Sequence, residues 1–181
     1  KKSIYGYLLS LTLFLATVNI APLIVPQLSF VTQIANKQQA FSKYITSVET
    51  NSGFLIPHLT DGSSIIKAIP NAILNTVVRP FLWECKSIFV YLSAIENILI
   101  ILLIIIALIY KKKMNDTQIN IFYFNLFFVF ILFSIIGLTT PVFGAIMRYK
   151  IPGLLILSIS LLLLVDLEKI KPKHPFLKKI L

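Results

Sequence analysis

Apolar and polar positions follow one another along this chain in long blocks. The clearest block is 92–110, which is apolar throughout its second half and stops at three consecutive lysines, residues 111–113. A helix rises about 1.5 Å per residue and needs roughly 20 residues to cross a bilayer. This block therefore predicts a transmembrane helix whose lysine-flanked end stays in the cytoplasm.

Three further blocks have a comparable apolar character. Together with the first they predict four transmembrane helices, at about 4–25, 92–110, 119–138 and 151–165. The last is short, so it has to tilt little, thin the bilayer locally or borrow residues from 143–150. The predicted fold class is therefore all-α, a polytopic membrane helix bundle that forms a single membrane domain over residues 1–181.

Basic residues orient these helices. Ten of the 17 lysines and arginines lie at 1–2, 111–113 and 169–179. With four spans, all these clusters fall on one side, as the positive-inside rule requires. Both termini and the basic tail 166–181 are predicted to be cytoplasmic, and the loop 27–87 is predicted to be exported. The chain starts without a methionine, which suggests that residues, and possible N-terminal spans, precede it.

Composition agrees with a membrane protein and argues against other classes. The chain is 57% hydrophobic and 13% charged, whereas about 25% of residues are charged in soluble domains. The net charge of +10 does not indicate nucleic-acid binding, because the basic residues flank apolar spans and suit the anionic headgroups of a lipid bilayer. With Cys85 as the only cysteine and no ligand-spaced histidines, no metal site and no cofactor are predicted.

The exported loop has the composition of a folded segment. Residues 33–50 and 64–78 both have helical patterns, and the second carries an apolar stripe from Ile65 to Val77 at four-residue spacing. Asp61 supplies a turn and a helix cap just before it. This amphipathic helix either lies in the membrane interface or packs on the other spans, and the pattern is consistent with both.

Polar residues gather where the loop meets the second span. Pro80 suits the first turn of a helix that runs unbroken into this span, so Trp83 and Glu84 are predicted to project at headgroup level. One interpretation is an aromatic belt with flanking charges. The other places Arg79 against the phosphate, and Trp83 against the sugar, of a lipid-linked substrate.

A second polar group is predicted inside the membrane. Glu96 lies about one turn within the second span and shares a helix face with Ser93 and Asn97. A carboxylate at this depth is costly unless it is paired or faces a wet cavity. It is therefore a functional candidate, and the structural alternative is an ion pair with Lys86 or Arg148.

A third group opens the last span. The four spans place Arg148, Tyr149 and Lys150 on the exported side, against the positive-inside tendency. The two cations there indicate an anionic partner, for which the pyrophosphate of a lipid-linked glycan is suitable. The alternative is a pair of rim cations near headgroup phosphates.

Two of these segments carry a resemblance to a known family. RPFLWE, followed by SAIEN, precedes one span, and TTPVFGAIMRYKIPGLLIL opens the last. Over about 63–157 the chain resembles the C-terminal part of membrane proteins encoded in bacterial polysaccharide clusters, such as O-antigen polymerases and related membrane glycosyltransferases. The resemblance implies that Arg79, and Arg148 close to Pro152, bind substrate. Those enzymes have many more spans than four, so this chain is either the tail of one or a small accessory protein.

The predicted function is participation in assembling or transferring lipid-linked glycan at the outer face of the bacterial inner membrane. Its catalytic candidates are Glu96 and Glu84, and its substrate-binding candidates are Arg79, Trp83, Arg148, Tyr149 and Lys150. We expect at least two of Arg79, Glu96 and Arg148 to face one cavity between the second and fourth spans. The alternative is a non-enzymatic membrane subunit or transporter fragment with a structural intramembrane ion pair.

Overall fold

The computed structural model describes residues 2–24, 29–48, 53–54, 56–166 and 169. Within these residues the regular structure is helical, which confirms the predicted all-α class. The described residues form seven α-helices, and a 3₁₀ turn at Leu82–Glu84 lies between the third and the fourth. In chain order the helices are α1 (Lys2–Ile24), α2 (Phe30–Val48), α3 (Gly62–Val78), α4 (Ile88–Ile109), α5 (Asp116–Thr139), α6 (Phe143–Tyr149) and α7 (Ile151–Leu164).

Two of the described helices, α4 and α5, are each long and apolar enough to cross a membrane. At about 1.5 Å per residue, their 22 and 24 residues reach roughly 33 and 36 Å. Helices α6 and α7 make a third crossing if they are one span, bent by 53° at its break. The predicted second and third spans thus correspond to α4 and α5, and α7 lies within the predicted fourth span, which borrows α6 only if the bent pair is one span. Helix α1 covers most of the predicted first span, but the count of four stays a prediction.

The unbroken helix predicted from Pro80 into the second span is wrong. The chain instead makes the 3₁₀ turn at Leu82–Glu84, and α4 starts afresh at Ile88. The Glu84 carboxylate holds that turn by accepting the backbone N–H of Phe81 at 3.0 Å. The Ser87 hydroxyl then accepts the N–H of Val90 at 3.4 Å and caps α4. These two side chains supply local hydrogen bonds that end one structure and begin the next.

Helix α3 confirms the predicted loop helix and its cap. Asp61 accepts the N–H of Ser64, whose hydroxyl lies 3.1 Å from the Asp61 N–H, forming a capping box. The helix packs on α5 rather than lying free at the interface. Its buried line runs through Ile65, Ala72 and Thr76. The contact is close because α5 carries Gly137, where a Cβ would come within 2.0 Å of the Ala72 carbonyl oxygen.

Helix α2 joins the loop to the end of α5. It spans most of the predicted 33–50 segment, whose last residues, 49–50, lie outside the described residues. The buried Gln38 amide accepts the N–H of Leu59 at 3.2 Å and donates to the carbonyl of Pro57 at 2.8 Å. It also donates to the carbonyl of Leu138 at 3.4 Å. One side chain thereby connects α2, the segment before α3 and the last turn of α5.

At the opposite end of the molecule, α4 and α7 finish side by side. The N–H of Asp166 donates to the Tyr110 carbonyl at 2.7 Å, and the N–H of Lys112 donates to the Leu164 carbonyl at 2.9 Å. Lys169 reaches the carbonyl of Lys111 at 3.1 Å. The two helices therefore run in the same direction, and lysines that follow each of them meet at one end. Most of the predicted tail, 166–181, lies outside the described residues.

Candidate functional site

The break between α6 and α7 places a lysine inside the protein. Pro152 has no N–H and cannot bond the carbonyl four residues earlier, so the helix is interrupted and bends at this point. Phe143, Ile146 and Lys150 follow one face of α6 at spacings of three and four residues, and all three are buried. The Lys150 side chain is 0% exposed. The prediction of a solvent-facing rim cation is therefore wrong for Lys150.

The ammonium of Lys150 is held by two neighbours on α4. It donates to the Asn97 side-chain oxygen and lies 3.5 Å from a carboxylate oxygen of Glu96. We call Lys150, Asn97 and Glu96 the Lys150 cluster. Its members differ in accessibility, because Asn97 is 2% exposed whereas the Glu96 side chain is 47% exposed. The partner that the structure gives to Glu96 is thus Lys150.

Asn97 extends the Lys150 cluster to the end of α3. Its side-chain N–H group donates to the carbonyls of Val78 and Arg79, at 3.2 and 2.8 Å. These carbonyls terminate α3, where the helix leaves acceptors without partners of its own. Asn97 therefore uses both ends of its amide, one for the Lys150 ammonium and one for a helix terminus. One turn earlier on α4, the Ser93 hydroxyl is buried and has no hydrogen-bond partner among the described residues.

Arg79 and Glu84, two of the predicted site residues, bind each other. A guanidinium nitrogen of Arg79 lies 2.7 Å from a Glu84 carboxylate oxygen, and both side chains are about a quarter exposed or less. The other Glu84 oxygen accepts the Phe81 N–H, as described above. The Arg79 guanidinium and the Glu84 carboxylate therefore neutralise each other within the protein, and neither charge is left unpaired for a substrate.

The Arg79 guanidinium also belongs to a line of aromatic rings. It lies 4.6 Å from the centre of the Phe54 ring and 5.8 Å from that of Phe81. Phe54 stacks on Phe143 of α6 at 5.2 Å, and Phe81 stacks on Trp83 at 4.7 Å with 12° between their planes. We call these five side chains the Trp83 stack. It begins in the buried core at Phe143 and ends at Trp83, which is 81% exposed.

The last two predicted residues point outward from α6. Arg148 is exposed, and its Nε donates to the Gly144 carbonyl one turn earlier at 3.2 Å. Within the described residues it makes no ion pair. Tyr149 is 46% exposed, and the Lys37 ammonium of α2 lies 5.9 Å from the centre of its ring. Arg148 and Tyr149 thus lie exposed on the outside of α6, and Lys37 reaches the Tyr149 ring there.

The structure gives different contacts to the three charged residues that were predicted to share a cavity. Arg79 is paired with Glu84, Glu96 with Lys150, and Arg148 faces outward. A groove of about 220 Å³ lies on α5 between apolar side chains, and a cavity of about 10 Å³ lies beside Gln38. Neither is lined by any of the three. In the described part of the chain, no group of three His, Cys, Asp or Glu residues is placed to hold a metal ion.

Sequence reasoning missed that Asn97 and Lys150 are partners. Asn97 was noted only as a neighbour of Glu96, and Lys150 only as a cation beside Arg148. The available signal was the spacing of Phe143, Ile146 and Lys150, which puts the lysine on the apolar face of a short helix.

The chain was also compared with known proteins. No protein-family model matches it, and neither a curated protein nor a solved structure does. The geometry of the Lys150 cluster, the Trp83 stack and the outer surface of α6 is therefore the basis for assigning a function.

Proposed function

We propose that this protein takes part in assembling or transferring lipid-linked glycan at the outer face of the bacterial inner membrane. The observation that carries the proposal is the Trp83 stack, which holds an open indole face on the surface of the molecule. A glycan presents flat apolar C–H faces to aromatic rings and hydroxyls to water. A rigid, exposed tryptophan backed by a second ring suits such a face at little cost in side-chain ordering.

The proposed topology places this surface outside the cell. In it α1 is also a span, which makes four, and both termini are cytoplasmic. It is supported by the meeting of α4 and α7 beside Lys111 and Lys169, because basic residues collect on the cytoplasmic side of membrane proteins. The other ends of α4 and α5, with Trp83 and the loop 27–87, then face outward.

Arg148 is the proposed phosphate-binding residue. Its guanidinium lies on the outside of α6 without an ion pair among the described residues, whereas Arg79 is already bound to Glu84. A guanidinium binds phosphate through a planar fork of N–H donors. Tyr149 follows it in the chain, and the Lys37 ammonium lies 5.9 Å from the centre of the Tyr149 ring, which adds a cation and a phenolic hydroxyl to the outside of α6. Of the two arginines that the resemblance to O-antigen polymerases implies as substrate-binding, we therefore propose that Arg148 binds the phosphate. Arg79 instead positions the aromatic rings of the Trp83 stack.

Glu96 is the proposed base. Its carboxylate lies beside the Lys150 ammonium and is half-exposed, so one side of it is open to accept a proton from a bound substrate. Glu84 is less suited, because both of its oxygens are used by Arg79 and Phe81. Lys150 then supports Glu96 from within the protein and does not contact substrate.

A second candidate function is a non-enzymatic membrane subunit or transporter fragment. The Lys150 cluster favours it. Among the described residues the buried ammonium has its partners on α4, and Asn97 also bonds the end of α3, which is the arrangement of a structural ion pair. In this case Trp83 and Arg148 are ordinary interfacial residues.

Trp83 is the only tryptophan of the chain, so its fluorescence reports directly on this surface. The purified protein in lipid nanodiscs is titrated with a polyprenyl-pyrophosphate-linked oligosaccharide and, separately, with the same lipid pyrophosphate without sugar. We expect the glycan-bearing ligand to change the emission and the bare lipid to bind without that change. Arg148→Met should weaken both by at least about tenfold, since a charge-assisted contact contributes roughly 1.5–3 kcal/mol.

The controls separate the two candidate functions. Arg148→Lys should recover part of the affinity, because lysine keeps the charge but lacks the bidentate fork. Lys67→Met removes an exposed cation from α3 and should change nothing. An emission that responds equally to both ligands, with full affinity in Arg148→Met, would reject the glycan site and leave the subunit. Turnover of the lipid-linked sugar by the purified chain alone would establish catalysis.

A further inference from the structure

The hydroxyl of Ser93 on α4 differs from the other buried hydroxyls on helices. In the described helices, four such hydroxyls donate to the carbonyl four residues earlier in their own helix, at 2.6–2.9 Å, as serine and threonine commonly do. They belong to Thr76, Ser134, Thr139 and Ser160. Ser93 is 3% exposed and has no hydrogen-bond partner among the described residues. Its hydroxyl therefore does not bond the Phe89 carbonyl and is free to bind another group.

The Lys150 ammonium also has hydrogen-bonding capacity to spare. An ammonium has three N–H donors. The described residues give it two neighbours, the Asn97 oxygen and a carboxylate oxygen of Glu96. The Lys150 side chain is 0% exposed, so bulk water does not reach the third N–H group. Because a buried donor without an acceptor is costly, above all on a charged group, this N–H group needs a further partner.

About one helical turn separates the Ser93 hydroxyl from the Lys150 ammonium. Ser93 and Asn97 are four residues apart on one face of α4, where Cβ atoms lie about 5–6 Å from each other. Asn97 binds the ammonium, and the Ser93 hydroxyl does not contact it directly. Two hydrogen bonds of about 2.8 Å in series span roughly 5.6 Å. One bridging molecule with the size of water therefore suits this separation.

We propose that Ser93 and Lys150 bind one buried water molecule, which completes the Lys150 cluster. The ammonium only donates, so the water accepts its third N–H group, and the Ser93 hydroxyl either donates to the water or accepts from it. Buried waters in proteins have two to four such polar partners. The open side of the Glu96 carboxylate stays accessible, so the proposal is compatible with the proposed glycan function and does not depend on it.

The sign of a stability change tests the proposal. If Ser93 binds the water, Ser93→Ala should raise the ratio of unfolded to folded protein about three- to tenfold, because it removes a satisfied hydroxyl. If Ser93 has no partner, the same change removes an unsatisfied polar group from the interior and should lower that ratio. Pulse proteolysis of the purified full chain in detergent measures the ratio.

Ser160→Ala is the matched control for Ser93→Ala. The Ser160 hydroxyl is equally buried but is satisfied by the Ile156 carbonyl in its own helix. The control therefore accounts for the higher helix propensity of alanine. We expect Ser93→Ala to be the less stable of the two variants, and a Ser93→Ala protein as stable as the control, or more stable, would overturn the proposal.

Two further measurements test whether the water also binds Lys150. In the Lys150→Met background the water has lost its donor, so Ser93→Ala should no longer destabilise the protein, whereas an undiminished cost would contradict the bridge. In solid-state NMR of the full chain in lipid nanodiscs, the Lys150 ammonium should receive magnetisation from a long-lived water. This transfer should weaken in Ser93→Ala but not in Ser160→Ala. A Lys150 signal that receives no magnetisation from water in the unaltered chain would also overturn the proposal.

Discussion

Replacing Lys150 with methionine tests whether the Lys150 cluster stabilises the fold. Methionine has a similar length and no polar group, so the substitution removes the ammonium while keeping much of the packing. The lost hydrogen bond to Asn97 is charge-assisted and contributes about 1.5–3 kcal/mol. The Asn97 oxygen is then buried without a donor, which costs about 1–3 kcal/mol more. The pair with Glu96 adds little, because that side chain is half-exposed.

We therefore expect Lys150→Met to lower the free energy of unfolding by about 2–4 kcal/mol, since relaxation recovers part of the sum. The measurement is pulse proteolysis of the purified chain across a series of denaturing detergent mixtures. Arg148→Met is the matched control, because it removes an exposed cation two residues away and should stay within about 0.5 kcal/mol of the unaltered protein.

A double substitution locates the effect. If Lys150 acts through Asn97, the pair Lys150→Met and Asn97→Leu should cost at least about 1 kcal/mol less than the sum of the single changes. Strict additivity would show that the two side chains do not stabilise each other. A Lys150→Met protein as stable as the Arg148→Met control would refute the whole description of the cluster.

Three other predictions use the same purified protein. Gly137→Ala should destabilise it by at least about 1–3 kcal/mol, because the added Cβ meets the Ala72 carbonyl, whereas Gly144→Ala has open space and should be nearly neutral by the same proteolysis assay. Hydrogen bonds from Ser63, Ser64 and Thr60 lower the pKa of Asp61 to about 2. The stabilisation of α3 by this cap should therefore be complete above pH 4 and be lost as the pH falls through 2. An NMR titration should show a higher pKa of Asp61 in Ser63→Ala. Burial, and to a smaller extent the Glu84 charge, raise the pKa of the Cys85 thiol. A membrane-impermeant maleimide should therefore label Cys85 slowly in intact spheroplasts, and faster at higher pH. Labelling only after permeabilisation would contradict the proposed orientation.

Much of the helix layout was predictable from residue pattern alone. Long apolar blocks ending at charges locate α4 and α5 within a few residues, because both length and composition are dictated by the bilayer. Asp61 marked the start of α3 for a similarly local reason, since a carboxylate one turn before an apolar stripe satisfies free N–H groups.

The features that the pattern missed depend on contacts between particular side chains, which apolar periodicity does not report. The break at Glu84 is local, because Glu84 accepts the Phe81 N–H and pairs with Arg79, five residues earlier. The choice between an interfacial and a packed α3 depended on Gly137, which lies 65 residues after Ala72 and permits the two helices to touch. The pairing of Lys150 with Asn97 was missed because the two residues are 53 positions apart in the chain.

The burial of Lys150 against α4 has a consequence for biosynthesis. Helices α4 and α5 are synthesised before α7, and each is long and apolar enough to insert into a membrane by itself. Helix α7 has 14 residues and is preceded by a cation, so on its own it is a poor insertion signal. Once α4 is in the membrane, its Asn97 and Glu96 side chains can bind the Lys150 ammonium. If α6 and α7 together cross the membrane, their insertion is therefore helped by the earlier helix α4, and the order of synthesis already provides that help.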